Sequence, residues 1–146
     1  MEKKKNIIYY NRRLLFEWEY LNGKKWNGRG YNNNQIIYEL KEGKGYIKEY
    51  NIYDGRLRFE GEYKNGERNG KGKEYDCYGN IIFDGEYKNG KRNGKGKDYD
   101  KYGNIIFEGE YLNREKWNGK VKEYEYGKLL FEGEYLNGNK VKWHKK

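Results

Sequence analysis

The chain has 146 residues, of which 34% are hydrophobic and 38% are charged, and its formal net charge is +9. Low hydrophobicity alone is typical of disordered chains, but 18 Tyr, 5 Phe and 4 Trp supply a large apolar area. No apolar stretch approaches the length of a membrane-spanning helix, and the single cysteine excludes an internal disulfide framework. We therefore expect a folded, cytoplasmic protein, with the inner membrane surface as a possible location.

The two ends of the chain are basic, and the region between them is nearly neutral. Residues 1–13 carry five basic side chains against one acidic one, and residues 139–146 carry four lysines. The sequence thus divides into a basic N-terminal segment (1–13), a repeat array (14–138) and a basic C-terminal tail (139–146). Within the array the basic and acidic residues almost balance.

The array begins with degenerate units over residues 14–58. The first unit starts at Phe16 and has Trp18 where the later units have glycine. A second, shortened unit starts near Tyr38 and lacks the loop segment of the others. Atypical terminal units are common in repeat arrays because an end must cover the exposed edge of the stack.

The units over residues 59–138 are regular. Each opens with the phrase F-E-G-E-Y or F-D-G-E-Y, and the opening phenylalanines stand 24 residues apart, at Phe59, Phe83, Phe107 and Phe131. A fixed period of this length predicts stacked supersecondary units rather than one globular core.

Each regular unit is predicted to be a β-hairpin. Phe83, Gly85 and Tyr87 alternate with charged residues, which is the period of a half-buried strand. Asn89-Gly90 suits a tight turn because both residues tolerate positive φ, and Tyr102-Gly103-Asn104 suits the second reversal. We therefore predict an all-β fold, a single-layer twisted antiparallel meander of about five to six tandem hairpins.

The glycine between the two aromatic residues of each phrase has a predicted structural role. Gly85 leaves room for a ring from a neighbouring strand to lie across the backbone. The carboxylates of the same strand face the other side, where they can pair with lysines of the return strand. We expect that charged side to be a solvated sheet face.

The regular units resemble the MORN repeat (membrane occupation and recognition nexus). The residues that match best are Phe83, Gly85, Tyr87, Gly90, Lys91, Gly94 and Gly96. The match is specific over 59–138 and weaker over 14–58, and it is most similar to bacterial MORN-variant repeats. The resemblance implies a long single-layer sheet with stacked aromatic residues and a role in scaffolding, dimerisation or partner binding. It also implies possible binding of acidic phospholipids.

Catalysis is not indicated. A nucleophilic pair would require Cys77 and His144 to meet, although the first lies in a predicted turn and the second in the tail. No metal-ligand spacing appears, and the Gly-Lys-Gly-Lys segments lack the spacing of a phosphate loop. We expect no enzymatic activity, no cofactor and no small-molecule substrate. The nearly neutral array also disfavours nucleic-acid binding, which needs a dense positive stripe.

The leading functional hypothesis is a protein-binding or scaffolding module that uses the aromatic sheet face. An exposed aromatic stripe marks an interaction surface, although the same rings could simply stack within the array. Trp26 and Trp117 stand in loops, at positions assigned to Arg68 and Arg92 in other units. The candidate partner-binding residues are Trp18, Trp26, Trp117, Tyr63, Tyr87 and Tyr111. Self-association is a further use of this stripe.

The alternative hypothesis is a peripheral membrane protein that binds anionic phospholipids through its basic ends. Each lysine near an anionic surface contributes about 1 kcal/mol, and Trp143 could act as an interfacial anchor. The structural alternative is that the lysines are solubilising caps. The candidate membrane-contact residues are Lys3, Lys4, Lys5, Arg12, Arg13, Lys140, Lys142, Trp143, Lys145 and Lys146.

Overall fold

The computed structural model describes residues 3–143 as a succession of antiparallel strands without a helix. In the regular units, aromatic residues and glycines alternate with charged residues along the strands, and Asn or Gly occupies most of the turns between strands. Within the described range the strands are β1 (Lys3–Tyr10), β2 (Arg13–Leu21), β3 (Lys24–Asn32), β4 (Gln35–Leu40), β5 (Gly45–Tyr50), β6 (Leu57–Lys64), β7 (Glu67–Tyr75), β8 (Ile81–Lys88), β9 (Lys91–Tyr99), β10 (Ile105–Leu112), β11 (Glu115–Glu125), β12 (Lys128–Leu136) and β13 (Asn139–Lys142).

Consecutive strands pair side by side everywhere except between β4 and β5, so the predicted all-β antiparallel meander is confirmed. The strands form two open sheets, β1 to β4 and β5 to β13. The strands also extend beyond the predicted limits of the array. β1 lies within the basic N-terminal segment and pairs with β2, and β13 lies within the basic tail and pairs with β12.

The connections alternate between two edges of the meander. The turn edge carries the tight connections at 22–23, 41–44, 65–66, 89–90, 113–114 and 137–138. The loop edge carries the connections at 11–12, 33–34, 51–56, 76–80, 100–104 and 126–127. On the turn edge Asn89 and Gly90 have φ values of 51° and 81°, the left-handed pair that a two-residue hairpin turn requires.

The glycines of the regular phrase allow close contact between strands, but the ring nearest to Gly85 is Phe83 of the same strand and not, as predicted, a ring of a neighbouring strand. Gly61 lies opposite Gly72, and Gly85 lies opposite Gly96. A Cβ atom at Gly72 would lie 2.6 Å from the Phe59 ring. The strands therefore approach at a pair of residues without side chains, and the phenylalanine ring fills the space above them.

The core is a single row of rings along one face. Phe59, Phe83 and Phe107 are fully buried. Phe83 contacts Tyr87 of its own strand edge-on at a centroid distance of 5.5 Å, and Tyr111 of the next unit at 5.3 Å. Because the same contacts recur in neighbouring units, the row continues from one hairpin to the next.

Candidate functional site

The aromatic face is buried within the array. Trp18 is 1% exposed, and Tyr63, Tyr87 and Tyr111 are 4–7% exposed. These four candidate residues therefore contact other parts of the chain and offer little surface to a partner. Only the rings near the ends of the row, such as Tyr20, Phe131 and Tyr135, are partly exposed.

A cation covers each phenylalanine ring of the row. It comes from the next strand along the chain, which begins at the turn edge. The guanidinium carbon of Arg68 lies 4.0 Å from the Phe59 ring centroid, and that of Arg92 lies 4.0 Å from the Phe83 centroid. The Nζ atom of Lys116 lies 5.3 Å from the Phe107 centroid. Sequence reasoning missed this role, although these cations stand nine residues after the phenylalanine in each unit.

The prediction that Trp26 and Trp117 stand in loops at the arginine positions is wrong, because they lie in β3 and β11, one residue after the cation position. Lys25 pairs with Tyr20 and Lys116 pairs with Tyr111, as Arg68 pairs with Tyr63 in a regular unit. The pairing register shifts by one residue directly after each of these lysines, and the tryptophan is the residue left without a partner at that shift. Both are half-buried.

Each of these tryptophans packs on the next turn of the turn edge. A Cβ atom at Gly43 would lie 2.8 Å from the Trp26 ring, and one at Gly138 would lie 3.0 Å from the Trp117 ring. The backbone N–H of each glycine also donates to the carbonyl of the tryptophan that covers it. Both tryptophans therefore support a neighbouring turn, and these contacts account for their positions.

Carboxylates link the cations of successive units. Glu49 accepts from Lys25 Nζ at 3.2 Å and from Arg68 Nε at 2.9 Å. Burial alone would raise the pKa of Glu49, but the charges of Lys25 and Arg68 outweigh it and hold that pKa below its ordinary value. The Tyr63 hydroxyl donates to the same carboxylate at 2.8 Å.

The same arrangement continues along the array. Glu74 accepts from Arg92 Nε at 2.7 Å and from the Tyr87 hydroxyl at 2.5 Å. Asp98 accepts from Arg92 Nη1 at 3.2 Å and from the Tyr111 hydroxyl. Burial is the largest cause that raises the pKa of Tyr87 and of Tyr111, and the hydrogen bond to the carboxylate is the second. Repetition of the set from unit to unit indicates a structural role and singles out no acid–base pair.

The opposite face carries charges whose sign alternates from strand to strand. In the register, Lys73 lies opposite both Glu60 and Asp84, and Lys97 lies opposite Asp84 and Glu108. A shallow trough of about 490 Å³ on this face has glycine backbone as its floor and is lined by both lysines and carboxylates. The two signs neutralise each other locally, so the trough does not favour an anionic ligand.

Large exposed side chains are concentrated on the loop edge. Four tyrosines, one in each connection from residue 51 onward, point into solvent, and their exposed fractions are 88% for Tyr53, 81% for Tyr78, 73% for Tyr102 and 95% for Tyr126. We call these four residues the tyrosine edge. Sequence reasoning did not select them, although Tyr78, Tyr102 and Tyr126 follow the 24-residue period.

The loops that carry Tyr78 and Tyr102 are held by hydrogen bonds. Asp76 Oδ1 accepts from the backbone N–H groups of Tyr78 and Asn80, each at 2.9 Å. Asp100 makes the same pair of contacts around Tyr102. Burial opposes ionisation of Asp100, but these contacts outweigh it and lower the pKa of that carboxylate. Tyr78 and Tyr102 are therefore displayed from ordered turns.

Within residues 3–143, the predicted membrane-contact residues lie at the two ends of the succession of strands and are not brought together. Lys3, Lys4 and Lys5 lie on β1, where Lys3 Nζ is 3.9 Å from Glu19. Arg12 and Arg13 lie at the first connection of the loop edge, and Lys140 pairs with Glu123 and lies 4.4 Å above the Phe131 ring. Lys142 and Trp143 end the described range, whereas His144, Lys145 and Lys146 lie outside it.

Cys77 is exposed in the loop that carries Tyr78. Among the described residues, no three His, Cys, Asp or Glu side chains converge as metal ligands would. That part of the chain also contains no helix able to span a bilayer. No protein-family model matches the chain, and no curated protein is significantly similar to it.

Proposed function

We propose that this chain is a non-catalytic MORN-like repeat protein that binds a protein partner through the tyrosine edge. The observation that carries this proposal is the exposure of four tyrosines on one edge of an otherwise charged array. The period of 24 residues and the hairpin register support the likeness to MORN repeats. The burial of the aromatic face supports moving the binding surface from that face to the loop edge.

Tyrosine suits this role for physical reasons. Its ring is large and rigid, so the side chain loses little conformational entropy on binding. Its hydroxyl can also donate or accept a hydrogen bond. Exposed loops that combine Tyr, Gly and Asn resemble the composition of antibody binding loops. Because Asp76 and Asp100 already order two of the turns, a partner would not have to immobilise those loops.

The proposal is tested by photo-crosslinking in extracts of the source cell. A photoreactive residue at position 102 should give a discrete crosslinked protein, and the same group at position 112 should not. Leu112 is a suitable control because it is 43% exposed but lies at the turn-edge end of β10, away from the loop edge. The double variant Tyr78→Ser/Tyr102→Ser should lose the partner, whereas Leu112→Ser should retain it. Equal crosslinking from both positions, or none from either, would contradict the proposal.

A second candidate function is binding to anionic membranes, and one observation favours it. Lys3, Lys5, Ile7 and Tyr9 share one face of β1, and all four are exposed. This arrangement combines positive charge with apolar anchors at one end of the array. Vesicles of phosphatidylcholine with and without phosphatidylserine test it by co-sedimentation.

The expected result is sedimentation with the anionic vesicles only. It should be reduced by the variant Lys3→Gln/Lys5→Gln and by removal of residues 139–146. Binding that persists without anionic lipid, or that is unchanged in both variants, would exclude electrostatic attachment through the ends. Light scattering of the free protein separately reports self-association.

A further inference from the structure

The junction between β4 and β5 is the one place in the described chain where consecutive strands do not form a ladder. Every other consecutive pair is joined by a run of antiparallel pairs. Between β4 and β5 the only bridge joins Lys41 and Lys44, beside the tight turn. Away from that turn, the facing backbone edges of the two strands make no hydrogen bond to each other within residues 3–143.

The cause lies in the residues that replace the regular glycine pair. Leu40 stands on β4 where a regular unit has the first glycine, and Ile47 stands on β5 where it has the second. Both side chains are almost fully buried in the core, with exposed fractions of 1% and 0%. Side chains at these two positions occupy the space in which Gly61 and Gly72 bring their strands together.

The opening leaves an apolar edge uncovered. Ile36 and Ile37 on β4 are 51% and 41% exposed. At the same positions of two regular units, Ile81, Ile82 and Ile106 are half-buried and Ile105 is 38% exposed. The hydroxyl of Tyr38, on the same strand, is buried and has no hydrogen-bond partner among the described residues. A buried polar group without a partner is costly.

Charge indicates what kind of partner fits this edge. In a chain that is 38% charged, residues 30–38 and 50–53 contain no charged side chain. Nearby Glu39 is already close to Arg29 and Lys41, at 3.7 and 3.8 Å. The edge therefore offers backbone donors and acceptors beside neutral and apolar side chains. An extended, uncharged polypeptide segment matches this chemistry because strand addition supplies the missing backbone partners.

We propose that β4 is a strand acceptor, which binds an extended, uncharged, apolar segment of a partner protein by β-sheet addition at the β4–β5 junction. The incoming main chain would pair with the edge of β4 that faces β5, and its apolar side chains would pack against Ile36 and Ile37. A carbonyl oxygen of that segment is a suitable acceptor for the Tyr38 hydroxyl. Tyr53 is the one member of the tyrosine edge that lies next to this surface, and the two proposals are tested at other residues, so either proposal can fail without the other.

The experiment selects phage-displayed random dodecapeptides against the full 146-residue chain and measures the affinities of the selected peptides. The test variant is Ile36→Lys, which places a charge on the exposed edge. The matched control is Ile81→Lys, which makes the same change at the same position of a regular, paired unit. Backbone hydrogen exchange, with and without peptide, locates the contact.

The expected peptides are poor in proline and charge and rich in β-branched and aromatic residues. Ile36→Lys should weaken their binding by about tenfold or more, which corresponds to a loss of about 1.4 kcal/mol, and Ile81→Lys should leave it unchanged. Exchange should slow in residues 35–40 and not in 81–88. The proposal is overturned if no peptide is enriched, if both variants bind equally, or if protection appears only outside β4 and β5.

Discussion

Replacing one phenylalanine of the central row tests whether the rings hold the array together. Phe83→Ala removes a fully buried ring that contacts Tyr87 and Tyr111 edge-on and lies 4.0 Å below the Arg92 guanidinium. The matched control is Phe131→Ala, which makes the same change in the terminal unit. There the ring is only half-buried, and its cation partner is Lys140.

The magnitude follows from burial and from the ring contacts. Truncating a buried Phe to Ala costs about 3–5 kcal/mol, and an edge-on aromatic pair contributes about 0.5–1.5 kcal/mol beyond burial. With two such pairs and a covering guanidinium, Phe83→Ala should lie in the upper part of the range, at about 4–5 kcal/mol. Phe131→Ala should cost about 1–2 kcal/mol because less of its area is buried.

Equilibrium unfolding in urea, followed by circular dichroism, measures the difference. With a slope of about 2 kcal/mol per molar urea, Phe83→Ala should lower the midpoint by about 2 M and Phe131→Ala by less than about 1 M. Similar midpoint shifts for the two variants would show that the ring row is not the main source of stability. A loss below about 1.5 kcal/mol at Phe83 would have the same meaning.

Two further predictions concern the glycine pairs and the carboxylates of the aromatic face. Gly96→Ala should destabilise the protein by about 1–3 kcal/mol through overpacking, because its Cβ atom would lie 2.7 Å from the Phe83 ring. Gly79 has open space around its Cβ position but a φ of +85°, so Gly79→Ala should lower the free energy of unfolding by only about 1 kcal/mol, as measured by thermal unfolding. A larger loss at Gly79 than at Gly96 would contradict the steric argument. Glu49→Gln should cost about 2 kcal/mol at pH 7 because it weakens hydrogen bonds to charged donors. Since the pKa of Glu49 is lowered in the folded protein, that contribution is present above its ordinary value of 4.5 and is lost as the pH falls below it. A difference between variant and wild type that stays constant from neutral to acidic pH would contradict this assignment.

The sequence was sufficient to predict the regular part of the fold because each local signal agrees with the others. The alternation around Gly85 and the Asn89-Gly90 turn both require a hairpin, and the structure has one there. The break between β4 and β5 was not predicted. Its signal is the presence of Leu40 at a glycine position, but only the register shows that Ile47 stands at the partner position and is buried beside it.

The candidate site was less predictable because exposure depends on contacts between units. Tyr63 and Tyr126 are both tyrosines of the repeat region, yet one is 7% exposed and the other 95%. The difference arises because Tyr63 lies in a strand under Lys25 and beside Arg68, whereas Tyr126 lies in a turn. The misplacement of Trp117 has a similar origin, since a register shift after Lys116 adds a residue that simple alignment assigned to the cation position.

The regular unit satisfies nearly all of its own chemical groups, and this constrains where recognition can occur. The phenylalanine is covered by tyrosine and a cation, the tyrosine hydroxyl bonds a carboxylate, and the carboxylate pairs with the cation of the next unit. The two surfaces left over differ in kind. The tyrosine edge repeats along the array, so its contacts should add as the contacts of a multivalent ligand do, and loss of one ring should weaken binding gradually. The β4–β5 junction occurs once in the described chain, so a single change there should weaken the whole of its contact. A partner that used both surfaces would be held by the repeated edge and placed in one orientation by the junction.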